Sequence, residues 1–269
     1  MSVSHWLHAR NSAVRLREWS SILPCLTGLC RVWTAGAAII LFGLVGWAQP
    51  VRNAAEENFA NLQGDFRRWT RSPFGSDTVG GRFYYLGRGR VVVEVTRPLK
   101  QIMSIQANRT TIYYPDERRA FVLESERPPQ LPIISSLLMA ARPDLGLPGY
   151  GFILVSHGTQ GDTLVATYEL RGKGRAGPVR FTVGEVNGRA VFASYASPDS
   201  QSWARTKFDR HVDVGGLWFP TEISTVASGM GARSEEVLHV EGLTADQPLP
   251  AWVLDFHLPK GIKVEKKKW

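Results

Sequence analysis

Residues 81–123, GRFYYLGRGRVVVEVTRPLKQIMSIQANRTTIYYPDERRAFVL, constrain this chain more than any other stretch. Short runs rich in β-branched and aromatic residues alternate with turn signals. The runs are Phe83–Tyr85, Val91–Val95, Gln101–Ile105, Thr111–Tyr114 and Phe121–Leu123. The breaks fall at Gly87-Arg88-Gly89, Arg97-Pro98, Ala107-Asn108 and Pro115-Asp116. Runs of this length, each closed by Gly, Pro, Asn or Asp, read as strands joined by tight turns, hence as an antiparallel meander.

The rest of the chain continues in that manner. Residues 50–68 are expected to be helical, because Val51, Ala54, Ala55, Phe59, Leu62 and Phe66 fall mostly on one face at a period near 3.6. A second helix is expected over 132–141, opened by Pro132 and stopped by Pro143. From Phe152 onward the pattern is β. Thr163–Leu170 alternates. Val179–Glu185 and Arg189–Tyr195 flank Asn187-Gly188, a turn pair that tolerates positive φ at both positions. Trp203–Val214, Thr221–Ala227, Ser234–Val240 and Val253–His257 complete ten or eleven antiparallel strands. So large a sheet has to curl, and two helices cannot cover both of its faces.

Ala35–Ala48, AGAAIILFGLVGWA, is uncharged and about fourteen residues long. A membrane span takes about twenty residues; a secretory apolar core takes about 7–15. Arg31 precedes it, and Gly46 and Ala48 supply small residues for cleavage before Gln49. Residues 1–48 are therefore read as an N-terminal extension and signal peptide, or as an uncleaved anchor through 35–48. Residues 49–269 are read as a single domain. Cys25 and Cys30 both precede the apolar run, so the later part has no cysteine to form a disulfide or a lipid attachment. Setting aside the four arginines and one glutamate of residues 1–48 lowers the formal charge from +8 to +5. That excess is spread along strands and does not form a nucleic-acid footprint. Lys266–Lys268 read as a solvated tail.

Two motifs invite a chemical reading. Gly172-Lys173-Gly174-Arg175-Ala176-Gly177 matches a dinucleotide fingerprint, which needs a helix immediately after it. Pro178 and a strand follow, so it reads as a basic hairpin loop. Asp209, His211 and Asp213 alternate along one strand and share a face. They are expected to be solvated and to hold no metal, with Phe208, Val212 and Val214 turned inward. His157, His239 and His257 stand alone. The sequence has no nucleophile elbow, phosphate loop or paired metal-spaced cysteines. No cofactor is expected, and the reading is of a protein that is not an enzyme.

The order of pieces in 81–123 resembles the periplasmic outer-membrane lipoprotein carrier family (LolA-like). The resemblance extends to Phe59-Ala60-Asn61-Leu62-Gln63-Gly64-Asp65-Phe66, similar to that family's first helix running into its first strand. It extends also to Leu254–Val264, similar to its closing strand, and so brackets roughly residues 54–265. The resemblance implies a mainly β fold with helices: a strongly curved antiparallel sheet, an unclosed half-barrel with an α-helical lid over a hydrophobic cavity. It implies a periplasmic carrier, most simply a monomer, that shields lipoprotein acyl chains. Its partners would be acylated lipoproteins or lipid, an inner-membrane lipoprotein-releasing transporter and an outer-membrane receptor. The alternative is a membrane-anchored lipid- or lipoprotein-sensing module of the same fold. Alternation puts Phe83 and Tyr85 on one face of their strand and Val91, Val93 and Val95 on one face of the next; these are expected to bind acyl chains in a space lined also by Met103, Ile105, Ile112, Tyr114, Phe121 and Leu123. The lid residues Ile133, Ile134, Leu137 and Leu138 would face them. Arg88 matches the family's lid-gate arginine, but the proline that should follow it is missing and the arginine is displaced by one.

Overall fold

The computed structural model describes residues 59–87, 89–106, 108–124, 133–170, 177–199, 201–229 and 232–268. The expectations for residues 1–48, for a helix over 50–58, for Arg88 and for most of the 172–177 loop lie outside them. Among the described residues, fourteen strands form one sheet in the order β14-β6-β5-β4-β3-β2-β1-β13-β12-β11-β10-β9-β8-β7.

Two meanders meet in its middle. The first grows outward from β1 (Leu62–Ser72) through β2 (Gly75–Tyr85), β3 (Val91–Arg97), β4 (Gln101–Gln106), β5 (Arg109–Tyr114) and β6 (Arg119–Glu124). The second starts at the opposite edge with β7 (Ile153–Gln160). It runs back through β8 (Thr163–Leu170), β9 (Val179–Val186), β10 (Arg189–Ala196), β11 (Trp203–Val214), β12 (Leu217–Gly229) and β13 (Ala232–Ala245). β13 pairs antiparallel with β1, and β14 (Lys263–Lys268) adds parallel to β6. β7 and β14 do not pair with each other, so the curved sheet is unclosed.

The chain leaves β6 near one edge and enters β7 at the other, and the described part of the connection, residues 133–152, crosses a face of the sheet. The described part holds α1 (Ile134–Ala140) and a 3-10 turn, Leu147–Tyr150. α1 rests on β12. Ile134, Leu137, Leu138, Leu145, Leu147 and Phe152 from this crossing join one large apolar cluster with side chains of β1–β4 and β8–β13. Phe152 meets Phe181 edge-on at 5.2 Å between ring centroids. A smaller cluster on the opposite face seats Val253 of α2 (Ala251–Leu254) against Tyr84 and Val92.

Three expectations need correction. Residues 62–72 are a strand, not the second half of a helix. Leu62, Phe66 and Thr70 are buried at even positions while Asp65, Arg67 and Arg71 are exposed, and pairing on both sides satisfies the backbone of β1. The closing strand is not Val253–His257. Those residues form α2 and an irregular return, and the closing strand is β14, which contains Lys266–Lys268. Its side chains are mostly exposed, and lysines along a bare edge oppose pairing with another chain. Val212 is 37% exposed and does not turn inward. Arg210 beside it adopts φ +56, which breaks the alternation of β11.

Other local readings match. β8 and β11 span the expected residues. Asn187 and Gly188 take φ +50 and +76 between β9 and β10, as a tight hairpin turn requires. β8 and β9 pair antiparallel, and β9 begins at Val179, where a dinucleotide fingerprint would need a helix.

Candidate functional site

Register alone puts the expected acyl-chain residues on one face. Tyr85, Val91, Ile105, Thr110 and Leu123 are successive cross-strand partners from β2 to β6. Phe83, Val93, Met103, Ile112 and Phe121 form the next row. Gly64 and Phe66 face Phe83 and Gly81, so β1 presents the same face. α1 and the crossing segment cover this face.

The crossing does not cover it evenly. Phe83, Tyr85, Val91, Val93, Val95, Met103 and Ile105 are buried, as are Ile134, Leu137 and Leu138 of α1. Ile112 and Ile133 are half-buried against the same cluster. Tyr114, Phe121 and Leu123 are half-exposed on the β5–β6 wing. There Tyr114 meets Phe121 edge-on at 6.0 Å, and Arg119 stands 4.6 Å over the Phe121 ring.

The cover is attached under strain. Ile133, just before α1, adopts φ +67 and ψ −58, and among the described residues no side chain caps the helix. A β-branched residue at positive φ is a true outlier, costing on the order of 1–3 kcal/mol. At the far end Leu145 and Gly146 take φ +53 and +69. The short helix is thus tied down mainly by apolar contact.

The sequence reading missed a polar row within this apolar face. Asp77, Thr70, Glu236, Thr225 and Thr206 are cross-strand neighbours from β2 through β1, β13 and β12 to β11. The hydroxyls of Thr206 and Thr225 share a 3.0 Å hydrogen bond. Asp77 Oδ2 and Glu236 Oε2 are buried with no hydrogen-bond partner among the described residues. Burial pushes the Glu236 carboxyl above its ordinary range, and Arg68 opposes that shift. The signal lies in pairing across distant segments, which a single strand's pattern does not carry.

A half-open pocket of about 300 Å³ lies at the β7–β9 end of the same face. Leu154, Leu164, Ala166 and Val183 supply its apolar wall; Asp144, His157, Tyr168 and Glu185 supply polar groups. Burial raises the Tyr168 hydroxyl pKa, with Asp144 and Glu185 adding to it. His157, which the sequence showed standing alone, is part of this wall.

Asp209, His211 and Asp213 do not converge. His211 Nε2 lies 2.9 Å from the Ala190 carbonyl oxygen, and burial, first among several influences, lowers its pKa. Asp213 accepts a hydrogen bond from the Gly216 amide in the β11–β12 turn. Among the described residues no group of three His, Cys, Asp or Glu side chains is placed to hold a metal ion, and no helix is long and apolar enough to cross a membrane.

No family model matches the chain, and no curated protein matches it. Solved structures do. The chain is similar to a LolA superfamily protein from Nitrosomonas europaea, with 18% identity over 84% of this chain and 99% of that one at a TM-score of 0.46. It is similar to a DUF1329 family protein from Desulfovibrio piger, with 13% identity over 75% and 92% of the two chains at 0.48. It is similar also to a domain assigned to an outer membrane lipoprotein-sorting protein in Vibrio parahaemolyticus, with 12% identity over 74% and 91% at 0.48. The family that the sequence resembles is the one named for the first of these.

Proposed function

We propose that this chain is a non-enzymatic periplasmic carrier that shields the acyl chains of lipoproteins, or of free lipid, on the concave face of its sheet. One observation carries the reading: a single apolar cluster shared by both meanders, covered in its described part by residues 133–152 and entered through the strained Ile133. A cover so small and so attached is separable from the sheet beneath it. In this reading Phe83, Tyr85, Val91, Val93, Val95, Met103 and Ile105 exchange contacts with the lid for contacts with acyl chains.

Burial of an acyl chain gains about 0.8 kcal/mol per CH₂, and loss of the lid's own contacts offsets part of that gain. Loading and release can then run without nucleotide hydrolysis in this chain. An inner-membrane releasing transporter would supply cargo and an outer-membrane receptor would take it, with the carrier passing between them as a monomer.

The test is native mass spectrometry of gently purified protein, together with displacement of an apolar dye by a fatty acid. Co-purified lipid and saturable displacement are expected. Protein that carries no lipid and takes up neither dye nor fatty acid would end the proposal.

A further inference from the structure

A second half-open pocket, about 490 Å³, is not part of the concave site. It sits where β2 ends, β3 begins and α2 returns, beside the smaller core of Tyr84, Val92 and Val253. Leu86, Leu249 and Leu254 give it an apolar wall. Asn61, Gln106 and Arg90 give it two amides and one cation, and none of its described lining residues carries a carboxylate. Arg90 is held in place by hydrogen bonds from Nη2 to the carbonyl oxygens of Val253 and Leu254. Two apolar side chains of α2 reach solvent: Leu254 is 52% exposed and Trp252, two positions earlier, 38%.

We propose that this pocket docks an extended segment of a partner protein, one that carries an apolar anchor side chain next to a carboxylate. Three features select that occupant. The volume lies in the range of ligand sites, about 300–1,000 Å³, and holds a side chain with its neighbouring backbone. Charge complementarity favours an acid, because Arg90 is the only charged side chain among the described residues of the lining. The amides of Asn61 and Gln106 offer donors and acceptors in the pairing a peptide backbone needs. The exposed Trp252 and Leu254 extend the surface past what a small molecule would cover, and Trp and Arg are the residue types that dominate protein interfaces. The proposal adds a landing place for a partner to the carrier reading and does not depend on lipid binding.

The experiment selects phage-displayed random heptapeptides on the full chain, counter-selected on Leu254→Asp, and measures the labelled consensus peptide by fluorescence polarisation. Enriched peptides should carry Leu, Ile or Phe beside Asp or Glu. Binding should weaken by about tenfold or more in Leu254→Asp and in Ala60→Glu; both positions are exposed, so the fold is retained. Saturating the chain with a fatty acid should leave peptide affinity unchanged, which separates failure here from failure of the carrier reading. No enrichment, a basic consensus, or equal binding by both variants would overturn the proposal. So would adsorption of wild type, but not Leu254→Asp, to phosphatidylglycerol vesicles in the absence of any selected peptide, since the patch would then face lipid.

Discussion

Arg90 and Leu254, 164 positions apart, are joined by a 2.6 Å hydrogen bond from the guanidinium Nη2 to the Leu254 carbonyl oxygen. The same nitrogen reaches the Val253 carbonyl at 3.2 Å. Together with fully buried Val253 and the edge-on contact of Trp252 with Tyr84 at 5.7 Å, the bond latches the return segment onto the outer face of β2 and β3. Arg90→Met keeps the stem and removes the donors. It should lower unfolding free energy by about 1–2 kcal/mol and speed proteolysis between residues 246 and 262. An unchanged denaturant midpoint and an unchanged cleavage pattern would show that Val253 alone holds the latch.

Gly81 stands at a register shift between β2 and β3, where a Cβ would lie 2.0 Å from the Glu94 carbonyl oxygen. The obstacle is backbone, so no side-chain rotation relieves it. Gly81→Ala should cost about 2–3 kcal/mol, read as a fall in the urea midpoint. Gly158→Ala is the control: it sits in an edge strand with nothing within 4 Å of the added carbon, and its midpoint should stay close to wild type. Equal shifts in the two variants would refute the steric account.

The sheet was legible because period-2 alternation and turn residues coincide in most strands. β1 was not, because Phe59, Leu62 and Phe66 satisfy helical spacing while Leu62, Phe66 and Thr70 satisfy strand spacing; pairing with β13, far along the chain, decides between them. β14 was hidden for a different reason. As an exposed edge strand it has little apolar pattern to display, and KVEKKK announces solubility before it announces pairing. The row from Asp77 to Thr206 joins five strands, and the pocket beside β7 needs the crossing segment laid over it. Both follow from tertiary register, not from local composition. The residues expected to bind acyl chains were legible in part as strand faces, but cavity and core draw on the same residue types.

Glu236 gives the stability curve a slope at mildly acid and neutral pH. Its carboxyl is raised in the folded chain by burial, against the pull of Arg68. The folded state therefore holds the proton more tightly than the unfolded state. Its contribution is present in full below the unfolded carboxylate pKa and is lost as pH rises through the folded one. Glu236→Gln removes the titration with little change of shape. The variant should match wild type near about pH 4 and exceed it near about pH 8 in unfolding free energy. Parallel curves for the two proteins across that range would mean that Glu236 ionises as freely folded as unfolded.

Leu137 is fully buried on α1, within the cluster that joins the crossing segment to both meanders. A glutamate there cannot remain charged against apolar side chains, because an isolated buried charge is far costlier than any contact it replaces. Two responses are open to the chain. If α1 is a separable cover, Leu137→Glu expels the helix and leaves the ladder of fourteen strands paired. Far-UV circular dichroism would then keep its β signature, the melting temperature would fall without loss of cooperativity, dye uptake by the lipid-free protein would rise, and co-purified lipid would disappear. If α1 is an ordinary part of the core, the substitution unfolds sheet and helix together. The strain at Ile133 and the absence of a side-chain cap favour the first response, since the segment gives up little besides apolar contact when it lifts. Ile133→Gly sharpens the comparison. It relieves the positive φ at the hinge and should slow lid opening, seen as slower dye uptake with the sheet intact. Loss of β signature in Leu137→Glu, with uptake in Ile133→Gly unchanged, would place α1 in the core and remove the lid from the mechanism.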